Sequence, residues 1–336
     1  MKARTVWVGL AVTMAMSAAQ AEPLAIRMSY PAAAGSLAPM FPLVPAAVYR
    51  HYGKSYTVEP IFMAGATQSL TALAAKELEF GTFTPQALTI AVVEAKLDVA
   101  VVGQAFSTEL PGYAKNEFWV RKDEVKDFPD LRGKVLAVNA RGSAIAAAVT
   151  LMMRKHGLEA GRDYQVVEVG FPATLPALES KKIALGYLVR PWSQRAEQNP
   201  ELKPLFGPGE VYGPQETGMW VARRDFIAKN RAALVDFFED QMRMRRWAHD
   251  PATRMQAVAI LAKAAKQPVE SFADYLLTKN DTSTRDPEAR IDIARLQRNV
   301  DSMAAAEVVP GRIDAAKYVD MSLVDEAKKR FEGSAK

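Results

Sequence analysis

Lys134 to Val138, Lys-Val-Leu-Ala-Val, is a short apolar run that reads as a strand buried on both faces. Asn139, Gly142 and Ser143 follow as a turn of small, polar residues, and Ala144 to His156 continue as a good helix former. Ser143 stands where an N-cap belongs, and Gly157 stands where a helix stops. A strand that feeds a helix in this way implies a parallel neighbour and a sheet covered on both faces. The free N–H groups at such a helix start carry partial positive charge and favour an anion or a carbonyl beyond the strand end. Small residues in the turn let that group come close to the backbone. An ordinary βα turn satisfies the same pattern without any ligand, so the unit gains weight only because it recurs.

It recurs along the chain. Leu24 to Tyr30 alternate as a first strand, followed by the loop Pro31–Ser36 and an apolar segment from Ala38 to His51 that reads as a helix. Tyr56 to Phe62 are a second strand, Ala64-Gly-Ala-Thr-Gln-Ser69 a second small turn, and Gln68 to Lys76 its helix. Leu78 to Phe83 lead through Thr84 into a helix from Pro85 to Ala95, and Val99 to Phe106 form the next strand. Beyond the central unit, Tyr164–Val169, Ala173–Lys181, Ile183–Val189 and a helix opened by Arg190-Pro-Trp192 repeat the alternation. Thr217 to Ala222 are a last strand, and the remainder is helical in character: 225–249, 251–266, 269–277, 286–303 and 324–331.

Alternating strands and helices define an α/β fold with mainly parallel sheets. The stretches with Pro111-Gly112 and with the Pro and Gly of 204–214 interrupt the alternation and read as crossovers. The chain then builds lobe 1 from 22–106 and 215–336, lobe 2 from 113–206, and hinge crossovers at 107–112 and 207–214. The strand ends of both lobes face one cleft.

At the start, Lys2 and Arg4, the apolar run Val6–Ala18 and Ala19-Gln20-Ala21 have the pattern of a secretory signal peptide, 1–21, cleaved before Glu22. A periplasmic location follows as an expectation. The chain contains no Cys, which excludes disulfides, thiolate metal sites and thiol nucleophiles. The formal charge of +5 includes Lys2 and Arg4, so the remainder is mildly basic: compatible with an anionic ligand, too weak for nucleic acid. His51, His156 and His249 are the only histidines, and no spacing among them offers a metal site. No G-x-S-x-G elbow occurs. The residues therefore point to a binding protein with no cofactor and no catalytic set. Arg243-Met-Arg-Arg-Trp247, the dense basic cluster, reads as a solvated helix surface.

The order of these segments carries a resemblance. Ser36-Leu-Ala-Pro, Gly65-Ala-Thr-Gln68, Leu78-Glu-Phe-Gly-Thr82 and Asp130-Leu-Arg-Gly-Lys-Val-Leu-Ala-Val-Asn-Ala-Arg-Gly-Ser143 resemble the substrate-binding proteins of nitrate/sulfonate/taurine-type ABC transporters, a branch of the type II periplasmic binding proteins. The resemblance covers roughly Leu24 to Trp220. It implies two α/β lobes with a hinge, a small-molecule ligand, and delivery to permease transmembrane subunits and their ATPase by a monomer. Arg190 departs from the small or acidic residue that relatives often carry before the proline of the second-lobe helix.

The ligand-binding candidates are Tyr30, Ser36, Thr67, Thr84, Gly142, Ser143, Arg190 and Trp192, all in or beside the turns that follow strands. Hydroxyls and helix-start amides suit anionic oxygens, and a guanidinium binds a carboxylate or sulfonate in a bidentate way. Tyr30 and Trp192 are the residues to stack on a planar group. Each hydroxyl has an alternative role as an N-cap, and Arg190 as half of a surface ion pair. A small organic anion, a sulfonate or a carboxylate and an aromatic one among these, is the expected ligand. A sensor component of a signalling system and a periplasmic enzyme on the same fold are the alternatives.

Overall fold

The computed structural model describes residues 22–32 and 35–333; the signal-peptide reading falls on residues 1–21, outside them. In chain order, β1 (Leu24–Tyr30), β2 (Tyr56–Phe62), α1 (Ala66–Ala74), β3 (Gly81–Phe83), α2 (Pro85–Val93) and β4 (Val99–Thr108) come first. Next are β5 (Glu117–Arg121), β6 (Val135–Val138), α3 (Ala144–Lys155), β7 (Gln165–Glu168), α4 (Phe171–Glu179), β8 (Leu185–Leu188), α5 (Trp192–Glu197) and β9 (Leu202–Phe206). After α6 (Gly209–Tyr212) and β10 (Gln215–Arg223) come α7 (Arg224–Lys229), α8 (Arg231–His249), α9 (Arg254–Ala264), α10 (Ile293–Ala305) and α11 (Ser322–Gly333).

These strands make two lobes of one design. In the first, β1 pairs in parallel with β2, and β10 lies antiparallel between β3 and β4. A parallel bridge from Met28 to Phe80, with Ser29 N–H donating to Phe80 O at 3.0 Å, joins the two parts. The order across the lobe is β2-β1-β3-β10-β4. In the second lobe the order is β7-β6-β8-β5-β9, with β5 antiparallel to both neighbours. Each sheet is parallel except for one strand beside the edge. That strand is where the chain arrives from the other lobe, β5 after β4 and β10 after β9. A strand that enters without a βα crossover is free to run antiparallel.

Helices cover both faces of each sheet. Phe237 and Phe238 of α8 pack with Phe80, Tyr56 and Trp220 on one face of the first sheet, while α1, α2 and α10 bury Leu73, Leu88 and Leu296 on the other. In the second lobe, Met152 and Met153 of α3 pack with Leu136, Phe118 and Phe206, and α4 places Leu175 and Leu178 on the opposite face. That second core also takes Met303 of α10 and Val309, so the helical C-terminal region touches both lobes.

Five segments depart from the sequence reading, the first being the helix expected over 225–249, which breaks at Asn230 into α7 and α8. The helix expected over 38–51 is replaced by two short 3-10 turns, Ala38–Met40 and Ala46–Val48. Pro42 and Pro45 lack the N–H that a continuous helix needs and clash with the preceding turn. The crossover expected over 204–214 begins with a strand, β9, whose Pro204 is tolerated because it lies at the sheet edge. The helix expected over 269–277 is a 3-10 turn, Val269–Ser271, followed by irregular chain with Leu277 at a φ of 65°. The helix expected from Asp286 starts only at Ile293, capped by the Asp292 side chain accepting from Arg295 N–H at 2.9 Å.

Candidate ligand-binding site

The helices α1 to α5 all begin at the carboxyl end of a strand, and their starts surround a cavity of about 540 Å³ between the lobes. Gly65 and Ala66 open α1, Thr84 precedes α2, Ser143 and Ala144 open α3, Gly170 and Phe171 open α4, and Pro191 and Trp192 open α5; all line the cavity. Open α/β sheets hold ligands at these ends because the helix amides and the turns converge there. Two of the starts are already satisfied. Thr84 Oγ1 accepts from Ala87 N–H at 3.2 Å, and Ser143 Oγ accepts from Ala146 N–H at 3.1 Å while donating to Asn139 Oδ1 at 2.8 Å. The starts of α1 and α4, one from each lobe, have glycine N-caps and no side-chain cap.

Of the eight sequence candidates, Tyr30, Thr84, Ser143, Arg190 and Trp192 line the cavity, and Ser36, Thr67 and Gly142 do not. Ser36 is fully buried, and its Oγ accepts from Ala38 N–H at 3.3 Å, a turn-stabilising role. Thr67 and Gly142 face each other across the lobes. A side chain on Gly142, which has a φ of 69°, would collide with Thr67 Oγ1. Beside them Asn139 Nδ2 donates to Ala64 O at 3.0 Å, and a Cβ on Gly65 would lie 2.8 Å from that of Ala140. The two small turns thus touch directly at this point, which only residues without bulk allow.

Among the described residues, three charged side chains line the cavity: Arg190, Lys266 and Asp281. Asp281 is neutralised in place, with Arg285 Nη1 at 2.9 Å and the N–H groups of Leu277 and Ser283 donating to it at 2.9 and 3.0 Å. Arg190 is mostly buried. It lies over the Tyr275 ring, with its guanidinium carbon 5.5 Å from the ring centroid, and among the described residues its carboxylate partner is the exposed Glu197, loosely paired at 3.6 Å. The charge of the wall is therefore positive. Burial holds the Tyr187 and Tyr275 phenols well above their ordinary pKa, so both stay neutral donors.

Much of the wall was not found from sequence. Phe62, at the end of β2, and Phe171, at the start of α4, obey the same strand-end rule as the chosen residues and were within its reach. Phe272, Tyr275 and Asp281–Ser283 come from the irregular chain between α9 and α10. Residues 269–277 read as a helix, and nothing in the sequence marks 278–283, so only the fold brings this segment to the cleft. Gln194 Nε2 donates to Asp274 Oδ2 at 3.0 Å and ties it to the second lobe.

Two α/β lobes of equal strand order, meeting at the carboxyl ends of their strands, define the periplasmic binding protein fold. The same fold is found in the periplasmic nitrate-binding protein of Synechocystis PCC 6803, at 14% identity and a TM-score of 0.68 over 93% of this chain and 90% of that one. The alkanesulfonate-binding protein of Xanthomonas axonopodis pv. citri, bound to MOPS, matches at 18% identity and a TM-score of 0.65 over 89% and 99%. The periplasmic aliphatic sulphonate binding protein of Escherichia coli matches at 19% and 0.61 over 90% and 99%. No curated protein matches the chain in sequence. The chain belongs to the NMT1-like family, whose model matches residues 19–262.

Proposed function

We propose that this protein is the periplasmic solute-binding component of an ABC importer, binding a small organic anion, a sulfonate or a carboxylate, and handing it to the permease. The observation that carries the reading is Arg190, a mostly buried guanidinium on the cavity wall whose one carboxylate partner among the described residues, Glu197, is exposed and 3.6 Å away. A buried cation with so loose a partner favours an anion beside it. The uncapped amides of α1 and α4 add to the same field. The fold and the family support the transport role. The sulfonate and nitrate specificities in the names of the structural neighbours are consistent with an anion. Closure works by rotation of lobe 1 (22–106 and 215–336) against lobe 2 (113–206) about crossovers at 107–112 and 207–214, with the contacts of Thr67 and Gly142 formed on closing. Among the described residues, no convergent acid and base on the cavity wall supports an enzymatic reading.

Native mass spectrometry of the protein purified from an expressing periplasm identifies the bound molecule, and calorimetry with that molecule tests the anchor. Arg190→Ala is expected to weaken binding by about tenfold to a hundredfold, the loss of one or two charge-assisted hydrogen bonds. Unliganded melting should barely move, because an exposed partner such as Glu197 contributes little. Unchanged affinity in Arg190→Ala would remove the anion site. A large loss of unliganded stability would make Arg190 a structural residue.

A further inference from the structure

We infer that the ligand is an aromatic monoanion, a sulfonate or carboxylate on a planar ring system of about two fused rings, and that Phe62 is the platform for the ring. This rests on the anion reading of the cavity and adds the identity of the ligand's body. The first ground is size. The cavity of about 540 Å³ is many times the roughly 10–15 Å³ of such volume that one water needs. An inorganic oxyanion or a two-carbon sulfonate leaves most of it unfilled, and an unfilled apolar cavity gains nothing from closing.

The second ground is Phe62. Large hydrophobic side chains left exposed among the described residues are few, and Phe62, at 63% exposure, is the most open of them and the one on the cavity wall. It ends β2, where its backbone is fixed by pairing with Tyr30 of β1. The Tyr30 ring meets it edge-on, with centroids 5.8 Å apart at 64°. That contact orients the Phe62 ring without covering it. An exposed ring held in a fixed pose invites a stacking partner rather than a flexible chain.

The third ground is the opposite wall. Phe171 and Trp192, from the second lobe, line the same cavity, so aromatic surface comes from both lobes. A flat ligand lets both lobes reach it on closing. Arg190 is the mostly buried cation of the wall, whereas Lys266 is exposed, so one anionic group at the edge of the ring system meets the cation that solvent does not serve.

The test is calorimetry with naphthalene-2-sulfonate and 1-octanesulfonate, which share the head group and differ in planarity. Naphthalene-2-carboxylate and nonanoate are run alongside. The aromatic member of a pair is expected to bind about tenfold tighter or better. Phe62→Leu keeps apolar area and removes the ring; because Phe62 is exposed, the fold tolerates the change. It should weaken the aromatic ligand by about fivefold and the alkyl one by less than about twofold. An alkyl ligand that binds as tightly as its aromatic partner, equal losses in Phe62→Leu, or no binding of any of the four overturns the inference. Failure of the underlying anion reading looks different: neutral naphthalene-2-sulfonamide would bind as tightly as the sulfonate, with the effect of Phe62→Leu retained.

Discussion

Asp240→Ala is expected to destabilise the unliganded protein by about 4 kcal/mol or more, measured by urea unfolding at neutral pH. Asp240 lies on α8 and is fully buried. Its carboxylate accepts from three successive backbone amides, Arg50 N–H at 2.8 Å and His51 and Tyr52 N–H at 2.9 Å each, and from Tyr56 Oη at 3.2 Å. Removing it leaves three partly buried amides and a buried phenol without their acceptor. Each such group costs about 1–3 kcal/mol, and partial hydration recovers some of the sum. Asp240→Asn keeps one acceptor oxygen and should lose less, about half. Equal stability of Asp240→Ala and the parent would mean that the loop finds other partners. The consequence reaches the cleft, because this loop leads straight into β2 and so sets where Phe62 stands.

The same pair of residues shows where sequence reasoning reached and where it stopped. Local signals sufficed for α3: an apolar strand, Ser143 as cap, and Gly157 at a φ of 73° past its end are all short-range features. They sufficed for most strands and for the placing of Tyr30, Thr84, Ser143, Arg190 and Trp192 along one cavity, because a single rule about strand ends generates that placing. The loop of residues 49–52 is another matter. It is held by a carboxylate some 190 positions away, Arg50 and Asp240 being 190 apart, and nothing nearby in sequence announces it. The apolar run 38–51 therefore read as a helix, although its prolines at 42 and 45 argued otherwise.

Distance also explains the missing wall of the site. Tyr275 and Asp281 sit in irregular chain, the first where the sequence read as a helix, held by Arg285 on Asp281 at 2.9 Å and by Arg254 Nε donating to Leu276 O at 2.9 Å. Structure maintained by side chain to backbone bonds is not read from apolar spacing, which here suggested a helix that does not form. Thr67 and Gly142 show the converse. They were chosen as ligand contacts for being small and polar, and in the structure they meet each other across the lobes. Small size suits a turn for close approach, but sequence does not say whether a ligand or a second turn approaches.

Glu109→Gln is expected to stabilise the protein at pH 8 by on the order of 3 kcal/mol and to have little effect near pH 4. Glu109 ends the strand β4 region at a φ of 60° and is buried where the chain passes between lobes. Neither carboxyl oxygen has a hydrogen-bond partner at bonding geometry. The chain of the return connection closes over it: a Cβ on Gly209 would stand 2.6 Å from Glu109 Oε2. Lys115 and Glu117 are the titratable groups whose charge is felt there, and the neutral Tyr187 phenol lies close enough to feel the charge of Glu109 in turn. Burial pushes the carboxyl up from its ordinary 4.5 to about 7, while Lys115 and the N–H groups of Asn116 and Gly209 oppose the shift only in part. A folded pKa above the unfolded one means that the native state binds the extra proton between the two values. Stability therefore falls as pH rises from about 4.5 to about 7 and levels off above. The neutral amide of Gln mimics the protonated acid, so the variant should lack this fall. Urea unfolding of both proteins from pH 4 to 8 isolates the residue, since all other titrating groups are common to the pair. A difference in stability that stays constant across that range would place Glu109 in contact with water or with a cation, and its burial between the two connections would then carry no proton linkage.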